Sequence, residues 1–429
     1  MKQNINQILK EVLVKINPSK DELDSMNKVV KIFIGEIESK LKTAKINAEV
    51  FVGGSFAKKT MIKKGLYDID IFVRFDKQYV GKDISGLVEK LIKGTKKSRI
   101  SRIHGSRDYF KIEPEGQNFF MEIIPVIKVK NPKEAENITD LSYFHVNYVK
   151  KKLKENMLDE IRLAKAFCHA NKCYGAESYI GGFSGYALEL LIIYYKSFLN
   201  FVKAVAKIEK KEIIDIEKLY KNKLEINMEM NSAKMSSPII LIDPTYRGRN
   251  ALAALSEETF KQFKIVCKKF IEKMSAEYFE IKKIDLEKIR KKAEKDKFEF
   301  ILLKAKTEKQ EGDVAGSKLV KFYKHFSGAL DKFYEIKNRG FEYDGKQNAE
   351  YFFVVKSRKE IIYSGPEVKD KQENIKRFKI RHKDTFEKKG KLYAREKLDK
   401  KINEFFKDWV NANAEKIREM SINEIKIID

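Results

Sequence analysis

The stretch from Phe51 to Phe75, FVGGSFAKKTMIKKGLYDIDIFVRF, constrains the fold of this chain more than any other segment. Polar and apolar residues alternate through the start of YDIDIFVRF, the period of a half-buried strand. Residues two apart share a face, so Asp68 and Asp70 project together while Ile69 and Ile71 point into a core. Upstream, Phe51 and Val52 run into Gly53 and Gly54, which break a first strand at a turn. The order is therefore strand, glycine turn, short cationic segment, strand, with two carboxylates held on one side of the second strand. Like charges so placed need solvent or a bridging cation. Hard divalent ions such as Mg²⁺ take oxygen ligands, often one or two carboxylates plus substrate phosphates. A pair of such ions can activate an attacking hydroxyl and stabilise a leaving phosphate oxygen.

Two carboxylates rarely complete such a site, which directs attention to a third on a neighbouring strand. Glu122 in FFMEIIPVIKVK is the best candidate, because apolar residues flank it and a charge there needs a partner or an exposed edge. Gly54 and Ser55 meet a second requirement. Glycine lets backbone approach a phosphate closely, and a hydroxyl with backbone N–H groups at a helix start can hold an anion. Lys58 and Lys59 follow one turn later. No GxxxxGK[ST] pattern is present, so this is not a Walker A loop.

Around this segment the hydrophobic period changes twice. Residues 1 to about 45 read as two helices, the second with Ser19 as N-cap. Strands follow in AEVFVGGS, YDIDIFVRF, YFKIEP and FFMEIIPVIKVK, with ISGLVEKLIKGT as an amphipathic helix between them. Helical patterns dominate from about 146, including a helix ending at Gly175 and another with Ser184 as N-cap. SSPIILIDPTYRGRNALAALS reads as a short strand, an irregular segment and a helix start. A long helix fills about 256 to 275. In the last third, FEFILLKAKT, SKLVKFYKHFSGALDKFYEIKN and AEYFFVVKS read as a β-α-β unit. The expected fold class is α+β and multidomain: an α/β head over 1–145, a helical domain over 146–257, and a mixed α/β region over 258–429.

The 429 residues carry 89 Lys and Arg against 63 Asp and Glu, a formal charge of +26. Individual basic runs are mixed with acids and read as solvated helix faces. The chain-wide excess favours a polyanionic partner, because lysines that replace counterions on a phosphate backbone release them. Cys168, Cys173 and Cys267 have no CxxC spacing and read as reduced intracellular thiols. The most apolar helical run, FSGYALELLIIYYKSFLNFV, contains Glu189 and Lys196, which suits a buried helix better than a membrane span.

The Gly-Ser pair, short helix and Asp-x-Asp strand resemble the nucleotidyltransferase superfamily that includes DNA polymerase beta. With PVIKVKNP, YGAESYIGGFSGYALELLI, IDPTYRGRNALAALS and SGPEVKDKQENIKRFK, the chain looks like the archaeal, class I CCA-adding tRNA nucleotidyltransferases. The resemblance implies addition of C, C and A to the 3′ end of tRNA from CTP and ATP, without a template and with Mg²⁺. It implies that Asp68, Asp70 and Glu122 hold the metal and act in catalysis; the family usually has aspartate where Glu122 stands. Gly54, Ser55 and Lys58 match phosphate contacts, and the family often carries arginine where Lys58 stands. His145, Lys165 and Tyr174 match positions near the triphosphate and sugar, and Arg249 matches an arginine that helps select the base. The first domain would then be catalytic, the second would complete the nucleotide pocket, and the third would bind RNA. Lys376, Arg377, Lys379, Arg381 and Lys383 would lie along the acceptor and TΨC arms of tRNA, reading A-form shape and phosphates. A cytoplasmic protein with no membrane partner is expected, and homodimers are frequent in the family. Two rival readings are a poly(A)- or oligoadenylate-forming polymerase and a non-catalytic RNA-binding protein on the same fold.

Overall fold

The computed structural model describes residues 5–95, 97–358, 360–397 and 400–428. They form two compact units, Met1–Lys282 and Lys283–Asp429.

In the first unit, α1 (Ile5–Ile16) and α2 (Lys20–Thr43) precede β1 (Ala48–Val52). The Ser19 hydroxyl accepts from Glu22 N, and the Glu22 carboxylate accepts from Ser19 N, a reciprocal cap that fixes the start of α2. One turn of helix, α3 (Gly54–Ala57), leads to β2 (Tyr67–Phe75), then α4 (Ile84–Ile92), β3 (Ser98–Ile103), β4 (Tyr109–Pro114) and β5 (Phe119–Ile127). The sheet order is β1-β2-β5-β4-β3. Its central pair, β2 and β5, runs parallel, and its other pairs are antiparallel. Alternation then sorts the two faces. Tyr67, Ile69, Ile71 and Val73 pack under α2 and α4 against Val30, Phe33, Ile37 and Val88. The other face of β2 carries Asp68, Asp70, Phe72 and Arg74.

The same unit continues with α5 (Ser142–Lys152), α6 (Glu155–Ala170), α7 (Gly185–Tyr195) and α8 (Phe198–Lys207). After these come β6 (Glu212–Ile214), α9 (Lys223–Glu229), the hairpin β7 (Ile239–Asp243) and β8 (Tyr246–Asn250), and α10 (Glu257–Glu272). Helix α7 is buried all round from Ala187 to Ile193, and apart from Glu189 that run is apolar. It stops at Lys196, whose φ of 71° is a conformation usually left to glycine. Lys45, Lys172 and Lys297 turn the chain in the same left-handed way close behind other helices. Helix α10 lies beyond the expected boundary at 257, yet its Phe260, Phe263 and Phe270 share one core with α6, α7 and α8. Cys168, Cys173 and Cys267 are buried and unpaired in that core. Among the described residues no helix is long and apolar enough to cross a membrane.

The second unit contains α11 (Leu286–Lys295), β9 (Glu299–Lys306), α12 (Asp313–Phe333), β10 (Tyr334–Tyr343), β11 (Asn348–Ser357), β12 (Glu360–Glu367), α13 (Gln372–Arg381), β13 (Thr385–Lys388), β14 (Lys391–Lys397), α14 (Ile402–Ala412), α15 (Ala414–Glu419) and β15 (Glu424–Ile427). Its sheets have the orders β10-β11-β9-β15 and β12-β14-β13. The expected β-α-β unit is corrected here. Helix α12 ends at Phe333, and YEIKN, expected to continue the helix, begins strand β10. β11 pairs with β9 antiparallel, whereas a β-α-β unit is parallel. The supposedly irregular IDPTYRGRN is likewise a hairpin.

Candidate active site

Strand pairing decides which carboxylates meet. In the parallel ladder Asp70 stands opposite Glu122, and Asp68 opposite Phe120. All three acids therefore sit on the face of the sheet opposite its helix-covered core. Gly54 closes one side of this group. It has φ +59°, and a Cβ there would lie 1.7 Å from Asp70 Oδ2, so only glycine lets the loop pass so near that carboxylate. Asp68 is paired with Lys64 at 2.9 Å, one helical turn's spacing away in sequence. Lys111 stands opposite Glu122 on β4, but its ammonium goes to Glu113 at 2.7 Å.

The electrostatics follow from this placement. Burial pushes the Asp70 carboxyl up to about 6, with the Asp68 charge adding to it. Burial likewise pushes Glu122 up to about 8, reinforced by Asp70 and then Asp68. Tyr109 is raised to about 12 by burial and by the same two carboxylates, Glu122 first. A site that disfavours its own negative charges in this way fits a cation. Among the described residues no group of three or more His, Cys, Asp or Glu side chains is placed so that it could hold a metal ion by itself. The fit therefore rests on the shared face and on the raised Asp70 and Glu122 carboxyls, which the charges of Lys58, Lys64 and Lys111 offset only in part.

The expected phosphate contacts form a second cluster. Ser55, Asp68, Lys165 and Tyr174 line one small cleft with Thr60 and Lys64. Lys58 and Lys165 are both buried, and both end on Glu189 of α7: Lys58 Nζ donates to Oε2 at 2.6 Å and Lys165 Nζ to Oε1 at 2.8 Å. Burial would raise the Glu189 carboxyl, but Lys165 and Lys58 overcome that and hold it at about 2.

His145 and Arg249 belong to a third cluster, centred on Asp243 at the end of β7. This wholly buried carboxylate accepts from His145 Nε2 at 3.0 Å, Tyr186 OH at 3.0 Å and Arg249 at 2.7 Å. Thr245 adds its N–H and hydroxyl. His145 stacks on Tyr186 with ring centres 4.1 Å apart. Burial lowers the His145 pKa, so a neutral ring with its proton on Nε2 matches the observed contact. Tyr186 and Glu189 sit three residues apart on α7, which puts the second and third clusters on adjacent turns of one helix.

The expected RNA contacts lie in the second unit. Lys376, Arg377, Lys379 and Arg381 are exposed on or at the end of α13, and Lys383 is exposed just beyond it. Arg377 pairs with Glu373 at 2.7 Å. Beneath them His382 is held by Glu396 at 2.7 Å and packs between Tyr363 and Phe378. With Arg377 and Arg381 these groups line a cleft of about 670 Å³.

Residues 1–143 match the model of the Second Messenger Oligonucleotide or Dinucleotide Synthetase domain, and residues 159–280 match that of the tRNA nucleotidyltransferase second domain. A protein described as CCA-adding enzyme from Methanocaldococcus jannaschii is 31% identical over 426 residues, 96% of this chain and 92% of that one. The chain belongs to the CCA-adding enzymes.

Another member of the family, from Nanoarchaeum equitans, is 44% identical over 243 residues, covering 57% of this chain and 59% of its own length. Among solved structures, a cytoplasmic RNA terminal U-transferase superposes with a TM-score of 0.51 at 14% identity, over 65% of this chain and 99% of that one. That likeness concerns the fold alone. The family resemblance in the sequence thus extends to nearly the whole chain.

Sequence reasoning missed Thr60, Tyr186, Glu189 and Asp243 as parts of these clusters. A signal existed for two of them. Glu189 interrupts LELLIIYY, and Asp243 ends IILID, so each is a carboxylate in an apolar run that folding must bury with a partner. Tyr186 offered no such signal, because a tyrosine in an apolar helix is ordinary core.

Proposed function

We propose that this CCA-adding enzyme extends the 3′ end of tRNA with C, C and A, taking CTP and ATP in turn. The observation that carries the chemistry is the alignment of Asp68, Asp70 and Glu122 on one sheet face, closed by Gly54. In the reaction the terminal tRNA hydroxyl attacks the α-phosphate of the nucleotide, and pyrophosphate leaves. Asp68, Asp70 and Glu122 would hold divalent cation, Mg²⁺ in this reading, which when bound lowers the pKa of the attacking hydroxyl and stabilises charge on the leaving oxygen. The rest of the catalysis is positioning.

Gly54 and Ser55 bring backbone and hydroxyl to the phosphates, and Lys58 and Lys165 supply positive charge. Tyr174 borders the same cleft. Asp243 fixes Arg249 and neutral His145 for contacts to the base and sugar. In domain terms, residues 1–145 act as the catalytic head and 146–257 complete the nucleotide pocket. The later residues bind tRNA, with Lys376, Arg377, Lys379, Arg381 and Lys383 on its phosphates. Recognition of shape and charge suits a substrate class whose members differ in sequence.

The test is incubation of a tRNA lacking its last three nucleotides with each nucleotide separately and together. CTP alone should add two residues, and CTP with ATP three. Unlimited addition of A without any need for CTP would identify a poly(A)-type polymerase instead.

A further inference from the structure

Helix α7 carries a carboxylate that the proposed chemistry does not use. Glu189 is fully buried, and Oε1 accepts from both Lys165 Nζ and the Thr60 hydroxyl at 2.8 Å. Lys165 directs its remaining donors to Thr60, at 2.8 Å to the hydroxyl and 3.2 Å to the carbonyl. Lys58 gives one N–H to Glu189 Oε2, and its other donors meet no described protein acceptor. Within hydrogen-bond reach the cluster thus holds two ammonium groups against one carboxylate, with the Lys58 charge also felt by the nearby Asp70 carboxylate. A surplus positive charge in a buried setting is costly unless an anion joins it. Without Glu189 the same two lysines would repel each other and swing apart on long, flexible stems.

We propose that Glu189 is a positioning residue for nucleotide binding: it holds Lys58 and Lys165 together so that a triphosphate meets a pre-set pair of cations. Ordering long side chains before the ligand arrives removes that cost from the binding step. The inference rests on the reading of Lys58 and Lys165 as triphosphate contacts.

The full-length enzyme with CCA-lacking tRNA provides the test. Glu189→Gln keeps the size of the side chain and removes its charge. The KM for CTP and ATP should rise about tenfold, while kcat at saturating nucleotide and the KM for tRNA stay within about twofold. Glu189→Asp, which retains the charge, should recover part of the loss. A folded Glu189→Gln enzyme with an unchanged nucleotide KM would overturn the proposal and leave Glu189 a stability element. Should that variant fail to fold, Thr60→Val removes the hydroxyl linking Glu189 to Lys165 while keeping every charge. It should raise the nucleotide KM about threefold with no change for tRNA, and an unaltered value again overturns the proposal. Lys58→Ala separates the two levels. If it leaves the nucleotide KM unchanged, the triphosphate reading fails and the positioning role with it. If it raises that KM and Glu189→Gln does not, the positioning role alone fails.

Discussion

Gly54→Ala tests the closeness of the loop to the carboxylates. The new Cβ would lie 1.7 Å from Asp70 Oδ2 and 2.7 Å from its Cγ. Restoring an ordinary contact of about 3.5 Å moves that oxygen by roughly 2 Å, or moves the loop by as much. Displacement of a reacting group by about 1 Å can cost on the order of 10²-fold in rate. The substitution also forces alanine to adopt φ +59°, at about 1–2 kcal/mol. Gly81→Ala separates the two effects, since Gly81 has φ +74° and nothing within 4 Å of a Cβ. In urea unfolding Gly81→Ala should lose about 1–2 kcal/mol, the left-handed backbone penalty, and Gly54→Ala about 1–3 kcal/mol more from the added clash. Only Gly54→Ala should lose about 10²-fold or more in single-turnover extension of tRNA. Equal extension rates for the two variants would refute the close approach of the loop to Asp70.

Three further outcomes follow from the geometry. Asp70 and Glu122 have folded pKa values of about 6 and about 8, above their ordinary 3.8 and 4.5, so their contribution to stability falls as pH rises through that window. A bound divalent cation relieves that loss, so the rise in Tm on adding MgCl₂ should be larger near pH ~8.5 than near pH ~6 by thermal melting; equal rises would remove these carboxylates from the cation site. Asp243→Asn takes the charge from a buried hub that holds Arg249 and should cost about 3–5 kcal/mol in chemical denaturation, with a changed preference between CTP and ATP in the folded fraction. Replacing Lys376, Lys379 and Lys383 together by alanine should flatten the slope of log affinity for tRNA against log salt by about 3. An unchanged slope would move the RNA contacts elsewhere.

The strand carboxylates were legible because their signal is local. Alternation in YDIDIFVRF fixes one face, and an acid inside FFMEIIPVIKVK marks a second strand whose pairing follows from burial. The helix-to-strand change at Tyr334 was not legible. FYEIKN continues the spacing of α12, and what ends the helix is Tyr334 entering the core against Phe405 as the first residue of β10. The Glu189 and Asp243 clusters are joined from segments far apart in the chain, with Lys58 131 residues from Glu189 and His145 98 from Asp243. Apolar context announces that such a carboxylate needs a partner, but only the fold selects which cation arrives.

The lysine that ends α7 belongs to a wider habit. Among the described residues nine non-glycine positions are left-handed, and eight of them are lysine. At Lys196 the ammonium donates to the Ile193 carbonyl at 2.8 Å, at the negative end of the α7 dipole, which offsets part of the strain glycine would avoid. A share of the +26 charge is thus engaged in punctuation, closing helices within the protein. Net charge is for that reason a poor ruler for the length of RNA this enzyme grips. The salt dependence of binding counts only the cations that displace counterions, and it should register a footprint smaller than the composition suggests.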